Sequence, residues 1–357
     1  MKQVCVAVVD DSAFIRKALT RMLSSEEGVR VVGAAESGEE LLDNLASWKP
    51  DVITLDLTMP GMGGLQTLDR IMAQRPTPVI ILSTHAGEDA PLTIEALHRG
   101  AVDFIDKQRY SLMDFGALRA VLVEKILQVV SAPRRTTEVA RAPAAPPAAV
   151  TPPPPTPRMG EHPYRLVVMG SSTGGPPVIE RILSDLGPDV GVPVVVAQHM
   201  PPRFTQAFAE RLNAHLPLQV REAADGEALV GATAYIAPGG RNLRVVRSRE
   251  GRIVARLGTR DEHGYHQPSV DALFASAAEG LGARTIAVLL TGMGRDGAEG
   301  MARLRHRGAR TIAQDRESCI VYGMPYAAVQ RGAVEESLPT ERIGPRVRAL
   351  LELDREP

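Results

Sequence analysis

A chain of 357 residues has room for about two domains. Its 41 Lys and Arg residues are balanced by 42 Asp and Glu, which argues against a nucleic-acid-binding or membrane-surface protein. A hydrophobic content of 44% is ordinary for a soluble globular protein, no apolar run approaches the roughly 18 residues of a membrane span, and two cysteines fit a reducing cytoplasm better than a disulfide scaffold.

The first third alternates strand and helix patterns. Strands are expected at Val4 to Val9, Val29 to Ala35, Val52 to Leu57, Val79 to Leu82 and Val102 to Ile105. Helices are expected at Ala13 to Ser24, Glu39 to Lys49, Leu65 to Arg75, Asp89 to Arg99 and Ser111 to Val130. Five strands alternating with five helices imply a parallel sheet covered on both faces, with function at the carboxyl ends of the strands. Asp10 and Asp11, Asp56, Ser83 or Thr84, and Lys107 stand at those ends. Converging carboxylates repel unless a cation sits among them, and oxygen ligands suit Mg²⁺. A hydroxyl and a Lys opposite would hold an anion, so the set suggests phosphoryl transfer onto Asp56.

Residues 131–163 are rich in Pro and Ala, including Thr151-Pro152-Pro153-Pro154-Pro155. Without apolar periodicity the stretch reads as an extended or flexible linker between residues 1–130 and 164–353.

Beyond it, Leu166 to Met169 reads as a buried strand, followed by Gly170-Ser171-Ser172-Thr173-Gly174-Gly175, Pro176-Pro177 and a helix pattern from Val178 to Leu186. The turn spells Gly-x-Ser-x-Gly around Ser172, the pattern of an exposed nucleophile. A capped tight turn and a phosphate-binding loop are the competing readings, and the second lacks the Lys that a P-loop needs. Further strands are expected at Val192 to Gln198, Gln219 to Glu222, Ala234 to Ile236, Thr285 to Leu290 and Arg310 to Ala313, with a hairpin formed by Leu243 to Val246 and Ile253 to Leu257. Helices are expected at Phe204 to His215, Ser269 to Glu279 and Ala298 to Arg307, with a short one from Gly323 and a last one from Pro345 to Leu353. This is again a doubly wound α/β pattern with a mainly parallel sheet.

Ser172, His199 and Asp296 each lie just beyond a separate strand. A Ser hydroxyl needs a base, His is the side chain suited to that task, and a carboxylate can orient the imidazole. Backbone around Thr173 and Met293 can supply N–H donors to an oxyanion. His215, His263, His266 and His306 compete as bases, and Asp225 and Asp271 compete as the carboxylate.

The front segment resembles the receiver domain of response regulators, through Val9-Asp10-Asp11-Ser12, Leu55-Asp56, Met59-Pro60-Gly61-Met62, Ser83 and Asp103-Phe104-Ile105-Asp106-Lys107. It departs from the usual pattern with Gln108 where Pro commonly follows the Lys, and with Gly63 where Asp is common. The resemblance implies a flavodoxin-like fold, a Mg²⁺ pocket of Asp10, Asp11 and Asp56, and phosphorylation of Asp56 by a histidine kinase. The second half resembles chemotaxis protein-glutamate methylesterases. The carrying motifs are Gly170-Ser171-Ser172-Thr173-Gly174-Gly175, Gln198-His199-Met200-Pro201, Ala234-Tyr235-Ile236-Ala237-Pro238-Gly239, Pro268-Ser269-Val270-Asp271 and Leu290-Thr291-Gly292-Met293-Gly294-Arg295-Asp296-Gly297. That resemblance implies Ser172 as nucleophile, His199 as base and Asp296 as orienting acid. It further implies chemoreceptors as substrate and a chemotaxis-type kinase as phosphodonor, with no cofactor for hydrolysis. The competing expectations are a receiver fused to a non-enzymatic receptor-binding module and a nucleotide-binding regulator.

Overall fold

A computed structural model of the chain describes residues 3–83, 90–107, 115–131, 164–258 and 266–352. Thr84, Gln108, His263 and all of the linker after Ser131 up to residue 163 lie outside them.

The first sheet holds β1 (Val4–Val9), β2 (Val29–Ala35), β3 (Val52–Leu55), β4 (Val79–Ser83) and β5 (Asp103–Asp106) in the order β2-β1-β3-β4-β5, all parallel. All four residues of β3 and all five of β4 are buried, because helices cover both faces of these central strands. Those helices are α1 (Ala13–Ser24), α2 (Gly38–Trp48), α3 (Gly63–Gln74), α4 (Ala90–His98) and α5 (Phe115–Ser131). Ser12 and Ser37 start the first two by accepting from the N–H groups of Ile15 and Glu40. Ser131 belongs to α5 rather than to the linker, and the expected first residues of that helix, 111–114, lie outside the described residues.

The second sheet is built from β6 (Leu166–Ser171), β7 (Val194–Gln198), β8 (Gln219–Glu222), β9 (Thr233–Ile236), β12 (Thr285–Leu289), β13 (Arg310–Gln314) and β14 (Glu336–Leu338). Their order is β14-β13-β12-β6-β7-β9-β8 and every pairing is parallel. A separate antiparallel hairpin pairs β10 (Leu243–Arg247) with β11 (Ile253–Leu257). Helices α6 (Gly175–Leu186), α7 (Phe204–His215), α8 (Val270–Gly280), α9 (Ala298–His306), α10 (Met324–Gln330) and α11 (Thr340–Glu352) complete the domain. The chain runs from β6 to β7 on one side and later returns to place β12 on the other. That reversal of strand order leaves a crevice at the carboxyl ends of β12, β6 and β7, where α/β sheets bind ligands.

Three differences from the sequence reading have simple causes. Pro176 and Pro177 lie inside the first turn of α6, where missing N–H groups cost no helical bond. Pro345 lies inside α11, which starts at Thr340 instead of at the proline. The edge strand β14 went unread because it has only three residues and one apolar side chain among them.

Packing of α8 on β6 sets the crevice. Val270, Leu273, Phe274 and Ala277 bury one face of α8. At β6, Gly170 lies so close to α8 that an added Cβ would stand 2.1 Å from Val270 Cγ1. Gly170→Ala is therefore expected to displace α8 and cost about 1–3 kcal/mol, as overpacking does. Thermal unfolding checks this, and an unchanged melting temperature would contradict the contact.

Candidate active site

The parallel register of β6 and β7 sets Ser171 beside Gln198, so the next residues, Ser172 and His199, leave adjacent strands at the same level. The His199 N–H donates to Ser171 O at 3.0 Å, and Gln198 Nε2 donates to Ser172 O at 2.9 Å. From the other side the Ser172 N–H donates to Thr291 O at 3.0 Å. A Cβ on Gly292 would lie 2.8 Å from Ser172 Cβ, so this glycine lets the loop after β12 close on the serine. Gly174 supplies the left-handed residue, φ 76°, that turns the strand into α6. Ser172 itself is half-buried.

His199 and Asp296 form a buried pair, with His199 Nε2 2.8 Å from Asp296 Oδ2 and side-chain exposures of 9% and 10%. From the loop after β12 the Asp296 carboxylate reaches the N-terminus of α8. Its Oδ1 accepts from Ser269 Oγ at 3.0 Å, from the Asp271 N–H at 2.9 Å and from the Gly297 N–H at 3.0 Å. Its Oδ2 accepts from the Val270 N–H at 2.7 Å. Burial by itself would raise the Asp296 carboxyl. The bond to His199, its charge and the N–H donors of Asp271 and Val270 outweigh burial and hold the group well below the usual carboxylate range. A carboxylate fixed as an anion accepts the proton of Nε2, which leaves Nδ1 as the lone-pair nitrogen. His199 Nδ1 is buried and has no hydrogen-bond partner among the described residues. The His–Asp pair is thus formed, while Ser172 and His199 are neighbours whose side chains are not hydrogen-bonded to each other.

The receiver-like pocket is equally compact. Ligand atoms of Asp10, Asp11 and Asp56 all lie within 4.8 Å of one another. Lys107 Nζ donates to Asp10 Oδ2 and Asp56 Oδ2, both at 2.8 Å. Burial raises the Asp10 carboxyl above its ordinary value against the pull of Lys107, and the charge of Asp56 adds to the rise. Ser83 Oγ is buried and has no hydrogen-bond partner among the described residues. Three hard oxygen donors fit a magnesium ion, and the orphaned hydroxyl and the ammonium fit an anion beside it.

The CheB methylesterase family matches residues 167–347, and the response regulator receiver domain family matches residues 6–113. A protein-glutamate methylesterase/protein-glutamine glutaminase of Geobacillus kaustophilus is 41% identical across 98% of this chain and 99% of its own. The chain belongs to this methylesterase family. A relative of the same name from Anaeromyxobacter dehalogenans is 44% identical across 97% of this chain and 94% of its own. The solved methylesterase catalytic domain of Thermotoga maritima CheB superposes with a TM-score of 0.50 at 39% identity, covering 53% of this chain and 98% of that one.

Family membership leaves the rival bases and acids to be sorted by geometry. Among the described rival bases His266 joins His199: their rings stack at 4.1 Å between centroids and 13° between planes. Loss of solvent around its ring, followed by the nearby charge of His199, pushes His266 down to about 4. It is therefore a neutral imidazole at physiological pH. His215 is exposed on α7 and His306 is exposed on α9. Asp225 accepts from the Leu257 N–H at the hairpin, away from this cluster. Asp271 does enter it, accepting from the Gly300 N–H at 2.7 Å. The sequence reading placed Ser269 inside α8, whereas it is the N-cap residue and touches Asp296. Ser before an apolar run was the signal for that cap.

The receiver side of the chain presses on the same turn. Thr173 Oγ1 donates to Asp103 Oδ2 at 2.5 Å, and the Gly174 N–H donates to Val102 O at 3.0 Å. Phe104 packs on Phe204 with centroids 4.5 Å apart. Arg211 pairs with Glu95, and His98 with Glu180. Thr173 is thereby buried and its hydroxyl engaged, while Met293 is half-buried.

Asp271 yields a stability test. Burial, opposed by the Gly300 N–H and reinforced by the charges of Asp296 and Glu299, pushes its carboxyl up to about 6. A raised acid favours the folded state below its unfolded pKa, and that contribution is lost as pH rises through the folded value. Asp271→Asn should therefore be more stable than the parent above pH ~6.5, on the order of 1 kcal/mol after screening, and equal to it near pH 4. Denaturant unfolding at both pH values checks this. A gain of equal size at both would contradict it.

Proposed function

We propose that the chain removes methyl groups from glutamyl methyl esters of chemoreceptors, releasing methanol, and deamidates receptor glutamines by the same chemistry. The buried His199–Asp296 pair beside Ser172 is the observation that carries this reading. Ser172 Oγ attacks the ester carbonyl as His199 Nδ1 takes its proton. The bond to the methoxy oxygen then breaks, His199 returns the proton to it, and methanol leaves. Water, deprotonated by His199, attacks the acyl-serine and frees the glutamate carboxylate and Ser172. With a glutamine substrate the leaving group is ammonia. N–H groups around Thr173 and Met293 are the proposed oxyanion donors.

The receiver pocket supports control of this step by a chemotaxis-type histidine kinase. Asp56 accepts the phosphoryl group, Asp10, Asp11 and Asp56 would hold Mg²⁺, and Lys107 and Ser83 face the phosphoryl oxygens. The ion supplies charge neutralisation at the transferring group. Contacts of Val102 and Asp103 with Gly174 and Thr173 support a resting state in which the receiver covers the serine turn. Phosphorylation raises activity only as far as it favours the uncovered state. Residues 1–131, which end in α5, and 164–353 act as the two domains, and the Pro- and Ala-rich stretch between them acts as their tether. No helix among the described residues is long and apolar enough to cross a membrane. Action on cytoplasmic receptor segments fits the two free cysteines.

Methanol release from a methylated receptor fragment tests both parts. Ser172→Ala should lower the rate by at least ~10³-fold in a folded protein. Turnover retained by that variant would reject the assignment. For the switch, Asp103→Ala should raise the rate without a phosphodonor, and Asp56→Asn should stay at the resting rate with one. Resting rates that are equal in the parent and Asp103→Ala would count against the covered state.

A further inference from the structure

We infer that Ser269 is a positioning residue for hydrolysis, its hydroxyl fixing Asp296 in the orientation that presents Oδ2 to His199 Nε2. The inference rests on the proposed roles of His199 and Asp296.

Ser269 is tied down on three sides. Its N–H donates to Asn242 Oδ1 at 2.9 Å, and Asn242 is only 1% exposed. Its Oγ accepts from the Ala272 N–H at 3.2 Å as the cap of α8. That bond occupies a lone pair and leaves the hydroxyl proton for Asp296 Oδ1, at 3.0 Å. The Asp271 and Gly297 N–H groups reach the same oxygen. With Oδ1 held by three donors, the carboxylate plane is set. Oδ2 is left to the Val270 N–H and His199. A run of bonds thus passes from buried Asn242 through Ser269 and Asp296 to the imidazole. A cap needs only the acceptor function of Ser269. Its donor function has no use in capping and acts on Asp296.

Removing that donor has a signed electrostatic consequence. Asp296 would carry its negative charge with one fewer hydrogen bond, so the imidazolium form of His199 would be favoured and its titration would move to higher pH. The other titratable groups around the pair are His266 stacked on His199, Asp271 on α8, Glu299 on α9 and Lys125 on α5. None of them bonds to the Ser269 hydroxyl, so a change at Ser269 leaves their contacts in place.

The test uses the full chain with Ser269→Gly and Ser269→Thr. Glycine is nearly as good a cap as serine, so Ser269→Gly removes the donor while sparing the helix. Threonine keeps the hydroxyl. Steady-state methanol release should show kcat reduced about tenfold in Ser269→Gly with KM within twofold. The acid limb of kcat/KM and the NMR titration midpoint of His199 should both rise by roughly half a pH unit. Ser269→Thr should restore all of these. A Ser269→Gly protein with lowered thermal stability but unmoved kcat and His199 midpoint would overturn the proposal, leaving a helix cap and nothing more. A Ser269→Thr protein as slow as Ser269→Gly would overturn it as well. Turnover in Ser172→Ala defeats the hydrolase reading instead, whereas the His199 midpoint is read without turnover.

Discussion

The site depends on one carboxylate held at one helix end. Asp296 lies in a loop between β12 and α9, yet its oxygens are gripped by the first residues of α8. A buried anion needs such donors, because an unsatisfied one would take up a proton and lose its hold on the imidazole. The first-turn N–H groups of a helix have no partners of their own, and the aligned peptide dipoles favour negative charge there. Packing of α8 against β6, through Val270 on Gly170, places that helix end over the crevice. The chain from core packing to imidazole orientation is therefore short: β6 sets α8, α8 sets Asp296, and Asp296 sets the tautomer of His199.

The two sheets share a strand in a functional sense. β5 has only four residues, Asp103–Asp106, a length of about 13 Å. At its start Val102 and Asp103 hold the serine turn, and just past its end Lys107 holds Asp10 and Asp56. Lys125 of α5 also pairs with Asp103, so a change in how the receiver helices pack reaches the same carboxylate. Phe104, between the two ends, packs on α7 of the second domain. These contacts give the receiver direct access to the serine turn without any long chain of intermediaries.

Much of this arrangement was legible in the sequence, for reasons that differ by element. Parallel strands buried on both faces announce themselves as apolar runs, so β3, β4 and the central β6, β7 and β12 stood out. Polar residues at the ends of those runs pointed to one edge of each sheet, which is how Ser172, His199 and Asp296 were found together. Pairwise geometry was not legible. Nothing in the spacing said that Asp296 would be bound by the N-terminus of α8, or which of the competing histidines would stack on His199. Nor did composition reveal that Thr173, expected beside the oxyanion, has its hydroxyl committed to Asp103. Those facts are set by tertiary contacts between segments some 30 to 120 residues apart. The short edge strand β14 was missed because three residues carry too little periodicity to read.

If Asp296 and His199 activate Ser172, its hydroxyl stands apart from the other serines in reactivity. A serine-reactive phosphonate probe, with the labelled residue located by peptide mass spectrometry, measures that property directly. The probe should modify Ser172 alone among the serines, and the labelling rate should collapse in His199→Gln. Modification of another serine, or an unchanged rate at Ser172 in His199→Gln, would contradict it.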